Sequence, residues 1–552
     1  MPENSGFPAS KDEVVEVDAV RLEAALGHKQ ELVRGFGLFS LTSLGIIIAN
    51  SWAATGGTIV TALFNGGPMA VLYGLIVVTI FYGFISLSLS ELASAIPSAG
   101  GVYHWSSVVG GKYGRAVGFF TGYLNACAWL LSASSMSSIL GNEAVAMYIL
   151  RNPDTEWHSW QPFIVFQIVL WMCTAIVCCG NKFLPMLNRI AFALSMGGLF
   201  ITVIVLAVMP RGHHASNATV WRTYYNMTGD GAPGWSDGIC FLSGLLNAAF
   251  AVGTPDCISH LSEEVPQPER KVPQGIMLQL FTAFLTAFVY LIALFYSIQD
   301  IDKVFDTSIG YFPIAEIYLQ ATGSVPGAVG LIALLFLATF PTLIGTLTTG
   351  GRMWWSLARD NATPFAPFFA QVHPTLNAPV NATCGMAAMV TCLGCIYVGS
   401  TTAFQALISS FIVLSTLSYA GAIVPHLLTG RKNIVPGPYV MPGIWGWFVN
   451  IAAVIYIAVT VVFFCFPFTL PVTVQNMNYT SVITVGLMTI VSFWWLVRGM
   501  TRYKGPIYSM EAAEKLAHGE DVLPESVQMK SELPSASVSA SASREQQPLE
   551  LQ

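Results

Sequence analysis

The chain of 552 residues is 54% hydrophobic and only 10% charged, against roughly 25% charged residues in ordinary soluble domains. Long uncharged runs recur along it, which excludes a string of soluble domains and points to a polytopic membrane protein. The net charge of −6 excludes little, because the sorting of sign across the membrane matters more than the total.

In chain order, a polar, acidic stretch over 1–37 reads as a cytoplasmic tail without a cleavable signal pattern, so membrane entry is expected at the first span. Twelve apolar spans of roughly 20 residues or more follow, at 38–64, 69–95, 116–141, 161–180, 190–209, 237–261, 276–298, 328–356, 380–400, 404–428, 445–469 and 479–499. The first reads LFSLTSLGIIIANSWAATGGTIVTALF, with Asn50, Ser51, Thr55, Gly56 and Gly57 near its middle. Asn and paired Gly are poor helix formers and Gly permits open backbone, so an interruption is expected there.

The sixth span, CFLSGLLNAAFAVGTPDCISHLSEE from Cys240 to Glu264, starts as an apolar helix and meets Ala251-Val252-Gly253-Thr254-Pro255 halfway. Pro255 has no amide hydrogen and its ring crowds the preceding turn, so the helix should break there. Behind it come Asp256, His260, Glu263 and Glu264, whose spacing would put them on one helical face. Opened backbone at membrane depth survives only where protein or a wet cavity satisfies it. Two interrupted spans at matching places, five spans apart, are the signature of an inverted five-plus-five repeat with a substrate site between the breaks. Glycine-kinked helices packed through small residues, with the charges past the helix end, are the plainer alternative.

The basic residues sort by side. Lys112, Arg115, Lys182, Arg189, Arg270, Lys271, Arg352, Arg359, Arg431 and Lys432 fall on one side with both tails, and the opposite loops hold only Arg151, Arg211, Arg222 and Lys303. The positive-inside rule then places both termini in the cytoplasm. Glycosylation signals at Asn217 and Asn226 lie in the outer loop, and a third at Asn478 is outside but close to the membrane; Asn361 falls inside. The tail after Pro506 turns Ser/Ala-rich over 531–545 and should be disordered. Lys515 and Lys530 there are candidates for ubiquitin-type regulation. The organisation expected is a tail (1–37), helices one to five (38–209), an extracellular loop (210–236), helices six to ten (237–428), two further helices (429–500) and a tail (501–552). Cys178-Cys179 and the Cys392/Cys395 pair have no His or acidic partner nearby and read as packing residues, with no metal site.

Several stretches together resemble the amino acid–polyamine–organocation permeases, and within them the fungal amino acid/choline transporter family. They are ELASAIPSAGGVYHW from Glu91 to Trp105, DCISHLSEEVPQPERKVPQGI from Asp256 to Ile276, RMWWSLARDNATP from Arg352 to Pro364, the Pro436-Gly-Pro438 turn, and FPFTLPVTVQNMNYTSV from Phe466 to Val482. The resemblance covers about residues 36–500. It implies an all-α membrane protein of the leucine-transporter type, with ten helices in two inverted repeats, helices one and six broken, and two peripheral helices. It also implies uptake across the plasma membrane by alternating access, without a cofactor and with a proton gradient as the driving force. Spans one, three, six and eight would line the site. Relatives that carry α-amino acids show a Gly-x-Gly-like stretch in span one, whereas this chain has Asn50-Ser51-Trp52-Ala53-Ala54, and Thr254 replaces a glycine common in span six. The Asn50-Ser51-Trp52 pattern resembles the choline-transporting branch.

A quaternary ammonium has no N–H to donate, so aromatic faces recognise it, at about 0.5–2 kcal/mol per contact. Trp52, Phe250, Tyr123 and Trp129 could converge as such a cage, with Phe340 and Tyr419 as further walls, beside Asn50, Ser51, Gly56, Gly253 and Thr254. Ionisable groups near membrane cores often mark gates or ion paths. Glu91, Asp256, His260, Glu263 and Glu264 are expected to pair with Lys112, Arg115 and Arg352 and close the inner mouth. The leading function is import of choline or a related amine such as ethanolamine, with a GABA or amino acid permease as the rival, so the partner is a small organic cation or amino acid. A membrane enzyme lacks a His/Asp/Cys constellation here, and no Gly-x-x-x-x-Gly-Lys-Ser/Thr loop supports ATP coupling. A non-transporting nutrient receptor is the remaining alternative. Nothing points to nucleic acid.

Overall fold

The computed structural model describes residue 32, residues 35–506 apart from 211–212, 230–232, 306–311, 400–401, 468 and 475, and residue 508. The expected tails, with Lys515 and Lys530, fall largely outside the described residues. What is described is almost wholly helical.

The first span is three helical pieces, α1 (Leu38–Ala49), α2 (Ser51–Gly57) and α3 (Ile59–Phe64), followed by α4 (Gly67–Ala95), α5 (Val102–Val109) and α6 (Gly114–Arg151). Then come α7 (Trp160–Cys179), α8 (Leu184–Val208), the short α9 (Asn217–Trp221) and α10 (Asp237–Val252). A 3-10 helix over Ser259–Glu264 leads to α11 (Pro268–Tyr296), α12 (Ile301–Phe305), α13 (Pro313–Thr322) and α14 (Val325–Arg359). The chain continues through α15 (Ala366–Phe369), α16 (Val380–Gly399), α17 (Thr402–Leu428), α18 (Gly443–Phe463), α19 (Thr480–Trp494) and α20 (Met500–Arg502). Two-residue strands β1 (Asn65–Gly66) and β2 (Tyr225–Asn226) pair antiparallel and tie the end of the first span to the 210–236 loop.

Among the described residues ten helical segments are long and apolar enough to cross a membrane, and two shorter apolar helices, Asp237–Val252 and Val380–Ile396, occupy the sixth and ninth expected positions. Every expected span is therefore helical. The third runs ten residues further than expected, to Arg151, because nothing after Gly141 breaks it: Asn142 and Glu143 are buried against other helices rather than ending it.

The core is unusually polar. Helix α6 buries Ser134, Ser135 and Ser137, whose hydroxyls donate to the carbonyls of Leu130, Leu131 and Ala133 one turn back. Such back-bonding satisfies the hydroxyl without water. Helix α14 packs closely on α1, where a Cβ at Gly345 would stand 2.4 Å from Ile48. Outward faces are apolar instead: Phe200 and Ile204 on α8, Ile451 and Ile455 on α18, and Phe493 on α19 are all exposed.

Candidate functional site

Both anticipated interruptions exist, and each is made differently. In the first span one residue, Asn50, adopts the left-handed conformation (φ 31°, ψ 50°) and separates α1 from α2. Asn tolerates that region better than most residues. Its side chain then binds across the bundle, donating to the carbonyl of Ala338 (2.8 Å) and to Thr342 Oγ1 (3.1 Å) while accepting from Ser195 (3.0 Å). The carbonyl of Ile47 accepts from Thr342 (2.9 Å). All of these groups are neutral.

In the sixth span α10 ends at Val252, two residues earlier than expected from Pro255 alone. Pro255 disfavours helical backbone at the residue before it and supplies no N–H to the carbonyl four residues back. That carbonyl belongs to Ala251, and it accepts from Ser51 Oγ at 2.7 Å. The hydroxyl at one break thus satisfies the backbone freed at the other, which holds the two interruptions side by side.

Asp256 follows at the opened turn and is fully buried. Its Oδ1 accepts from the Tyr419 hydroxyl (2.6 Å); Oδ2 accepts from Asn125 (2.7 Å) and the Trp129 indole (3.2 Å) and lies 3.3 Å from His260 Nε2. Trp129 and Phe250 both pack on Phe411, at 6.2 and 5.7 Å between centroids. Tyr419 also donates to the Gly253 carbonyl (3.2 Å), and Gln279 donates to both oxygens of Thr254. A Cβ at Gly253 would stand 3.2 Å from the Tyr82 hydroxyl, which is buried and makes no hydrogen bond among the described residues. The result is a carboxylate walled by aromatic rings from α6, α10 and α17.

A second group of acids forms ion pairs with arginines. Arg352, fully buried, forms a two-pronged pair with Glu264 and also donates to Asn181 (3.0 Å). Arg359 pairs with Glu263 through both of its terminal nitrogens at 3.2 Å. Arg431 pairs with Glu91, which also accepts from the Met441 amide (3.1 Å) and faces His426 at 3.7 Å.

A model of the amino acid permease family matches residues 36–488, most of the chain. The chain belongs to the amino acid permease family. A choline transporter of Saccharomyces cerevisiae is 34% identical to this permease over 91% of this chain and 88% of that protein. An amino-acid permease of Arabidopsis thaliana is 26% identical over 90% of this chain and 97% of its own length. In fold the permease is similar to a crystal structure of the Eremococcus coleocola manganese transporter, with a TM-score of 0.50 and 13% identity over 91% of this chain and 98% of that one. These relatives are transporters and permeases, and the permease is a multi-pass membrane transporter of the same kind, not an enzyme.

Within the permease the anticipated residues divide. Asn50 and Ser51 lie at the first break and Gly253 and Thr254 at the second, joined by the Ser51–Ala251 hydrogen bond, with Phe250 one turn before the second. Trp52 shares Ser195 with Asn50: its indole donates to that hydroxyl (3.1 Å), and its ring meets Tyr290 edge-on at 5.4 Å. Gly56 also lies against Tyr290, where a Cβ would stand 2.8 Å from the Tyr290 hydroxyl. Tyr123 is not in a cage with Phe250; it packs on Phe119 and donates to the Ala362 carbonyl (2.9 Å). Phe340 stacks on Phe336, away from both breaks.

The single charged face expected behind Pro255 does not form either. The backbone there is turns and a 3-10 helix instead of an α-helix, so Asp256 and His260 stay together while Glu263 and Glu264 diverge to different arginines. Among the described residues, Arg352 is the one anticipated base that pairs with an acid. Lys112 lies exposed over the Tyr113 ring, and Arg115 donates to the carbonyls of Gly499 and Met500. Arg359, His426 and Arg431 take the places expected of them; the partners of Glu91 come 335 and 340 residues later, a separation that no local spacing reveals. Asn217 and Asn226 are exposed, but Asn478 is buried, its amide donating to the carbonyls of Phe464 and Phe466, which removes it as an acceptor.

Proposed function

We propose that the permease imports choline, or a related small amine such as ethanolamine, across the plasma membrane by proton-coupled alternating access. The observation that carries this is the buried Asp256 carboxylate bounded by Trp129 and Tyr419, with Phe250 and Phe411 beside them. A buried anion among aromatic faces suits a small organic cation, and the unpaired Tyr82 hydroxyl at Gly253 suits the alcohol that choline and ethanolamine share. Similarity to a protein named choline transporter favours the same cargo.

In this reading twelve helices cross the membrane with both termini cytoplasmic. Residues 38–209 and 237–428 form the inverted five-helix repeats, and the last two helices are peripheral. The pairs Glu91–Arg431, Glu263–Arg359 and Glu264–Arg352 close the cytoplasmic mouth, and Asn217 and Asn226 carry glycans outside. Tracer choline uptake in cells expressing the chain tests it, with unlabelled ethanolamine, GABA or lysine as competitors and with or without a protonophore. Choline and ethanolamine should compete, lysine and GABA should not, and the protonophore should collapse accumulation. Equal competition by GABA or lysine would transfer the permease to the amino acid carriers.

A further inference from the structure

Glu143 of α6 takes no part in the hydrogen bonds described at either break or in the ion pairs above. It is fully buried, its Oε1 accepts from Thr339 of α14 (3.1 Å), and its Oε2 has no hydrogen-bond partner among the described residues. The titratable groups near it are Tyr290 of α11 and Tyr318 of α13, whose hydroxyls bond each other at 2.8 Å. No Lys, Arg or His forms an ion pair with it among the described residues. From α7, Pro162 packs against Gly141, two residues before Glu143.

A bare carboxylate without a cation or a full set of donors is unfavourable in a dry interior. The neutral acid is the form that these surroundings accommodate. The position links this acid to the first helix break. Ile139, one turn before Glu143 on the same face of α6, would stand 2.9 Å from a Cβ at Gly57, and Tyr290 would stand 2.8 Å from one at Gly56. Thr339 lies one turn from Thr342, which binds Asn50 and Ile47. The contact of α2 with α6, at Gly57 and Ile139, thus lies one turn from Glu143.

We propose that Glu143 is the group that takes up and releases the coupling proton. With the helices packed as here, the side chain is the acid, COOH. When α2 moves away and water enters, the O–H bond breaks, the proton leaves to that water, and COO⁻ remains until the next proton arrives from the other side. A ligand that binds only one arrangement shifts the population toward it, and here the proton is that ligand for the packed arrangement. This rests on the proton-coupled reading above, so the test separates the two.

The full chain in proteoliposomes would be compared with Glu143→Gln, which keeps the shape of the neutral acid. The readouts are choline accumulation under an imposed pH gradient, choline exchange at equal pH, and the infrared C=O band of buried carboxylic acid at neutral pH. The expected result is a band in the wild type that the variant loses, exchange retained and independent of pH, and gradient-driven accumulation reduced about tenfold or more. Glu143→Asp should restore the band and part of the accumulation. A variant that accumulates as well as the wild type, or a wild type lacking the Glu143 band, would overturn the assignment. A wild type indifferent to the gradient, with the band intact, would overturn proton coupling itself and leave Glu143 a buried structural acid. The band needs no cargo, so failure of choline as substrate is distinguishable from failure here.

Discussion

The two interruptions solve one backbone problem with opposite chemistry. At the first, a single left-handed asparagine breaks the helix and amides and hydroxyls fill the gap, with no charge within hydrogen-bond reach of Asn50. At the second, proline opens several residues, and a carboxylate, an imidazole and three hydrogen-bonding side chains crowd in. The first break is thus lined by neutral groups, and the second holds the carboxylate and the imidazole. One hydroxyl, Ser51, binds them together.

The largest test of that division is Asp256→Asn. Leaving a buried charge network without one member costs about 3–5 kcal/mol, so uptake should fall by roughly two orders of magnitude or more while protein still reaches the cell surface. Near-normal uptake would move charge recognition away from the second break. Next comes Arg352→Ala, which strands buried Glu264. Thermal unfolding in detergent should show a loss of about 3–5 kcal/mol, much of it recovered when Glu264→Gln is added.

A smaller effect is expected from Ser51→Ala. The Ala251 carbonyl would lose its partner, at about 1–3 kcal/mol, and kcat for uptake should change more than stability if the contact couples the breaks. Tyr82→Phe should raise the apparent KM for choline about fivefold, for a lost hydrogen bond worth about 1 kcal/mol. It should leave the melting temperature unchanged or higher, because the buried hydroxyl has no hydrogen-bond partner among the described residues. The smallest effect belongs to Lys112→Ala, since that side chain is exposed and pairs with no acid among the described residues; a strong transport defect there would revive it as a gate residue.

The twelve apolar segments, the two breaks and the acids behind Pro255 are legible in the sequence because they depend on local properties. Apolar length sets a membrane helix, Asn50 and the Gly253–Pro255 run set where hydrogen bonding must lapse, and a missing amide cannot be restored by folding. The family motifs carry the fold in the same way. Tertiary structure decided what those local properties leave open. Trp52 and Phe250 sit beside neighbouring breaks, yet they face different helices because a side chain's direction depends on rotamer and on what packs against it. The partner of each buried acid is likewise chosen by long-range packing: Glu91 finds Arg431, Glu264 finds Arg352, and Glu143 finds Thr339. An acid announces in sequence that it must be compensated, and only the assembled bundle decides what compensates it.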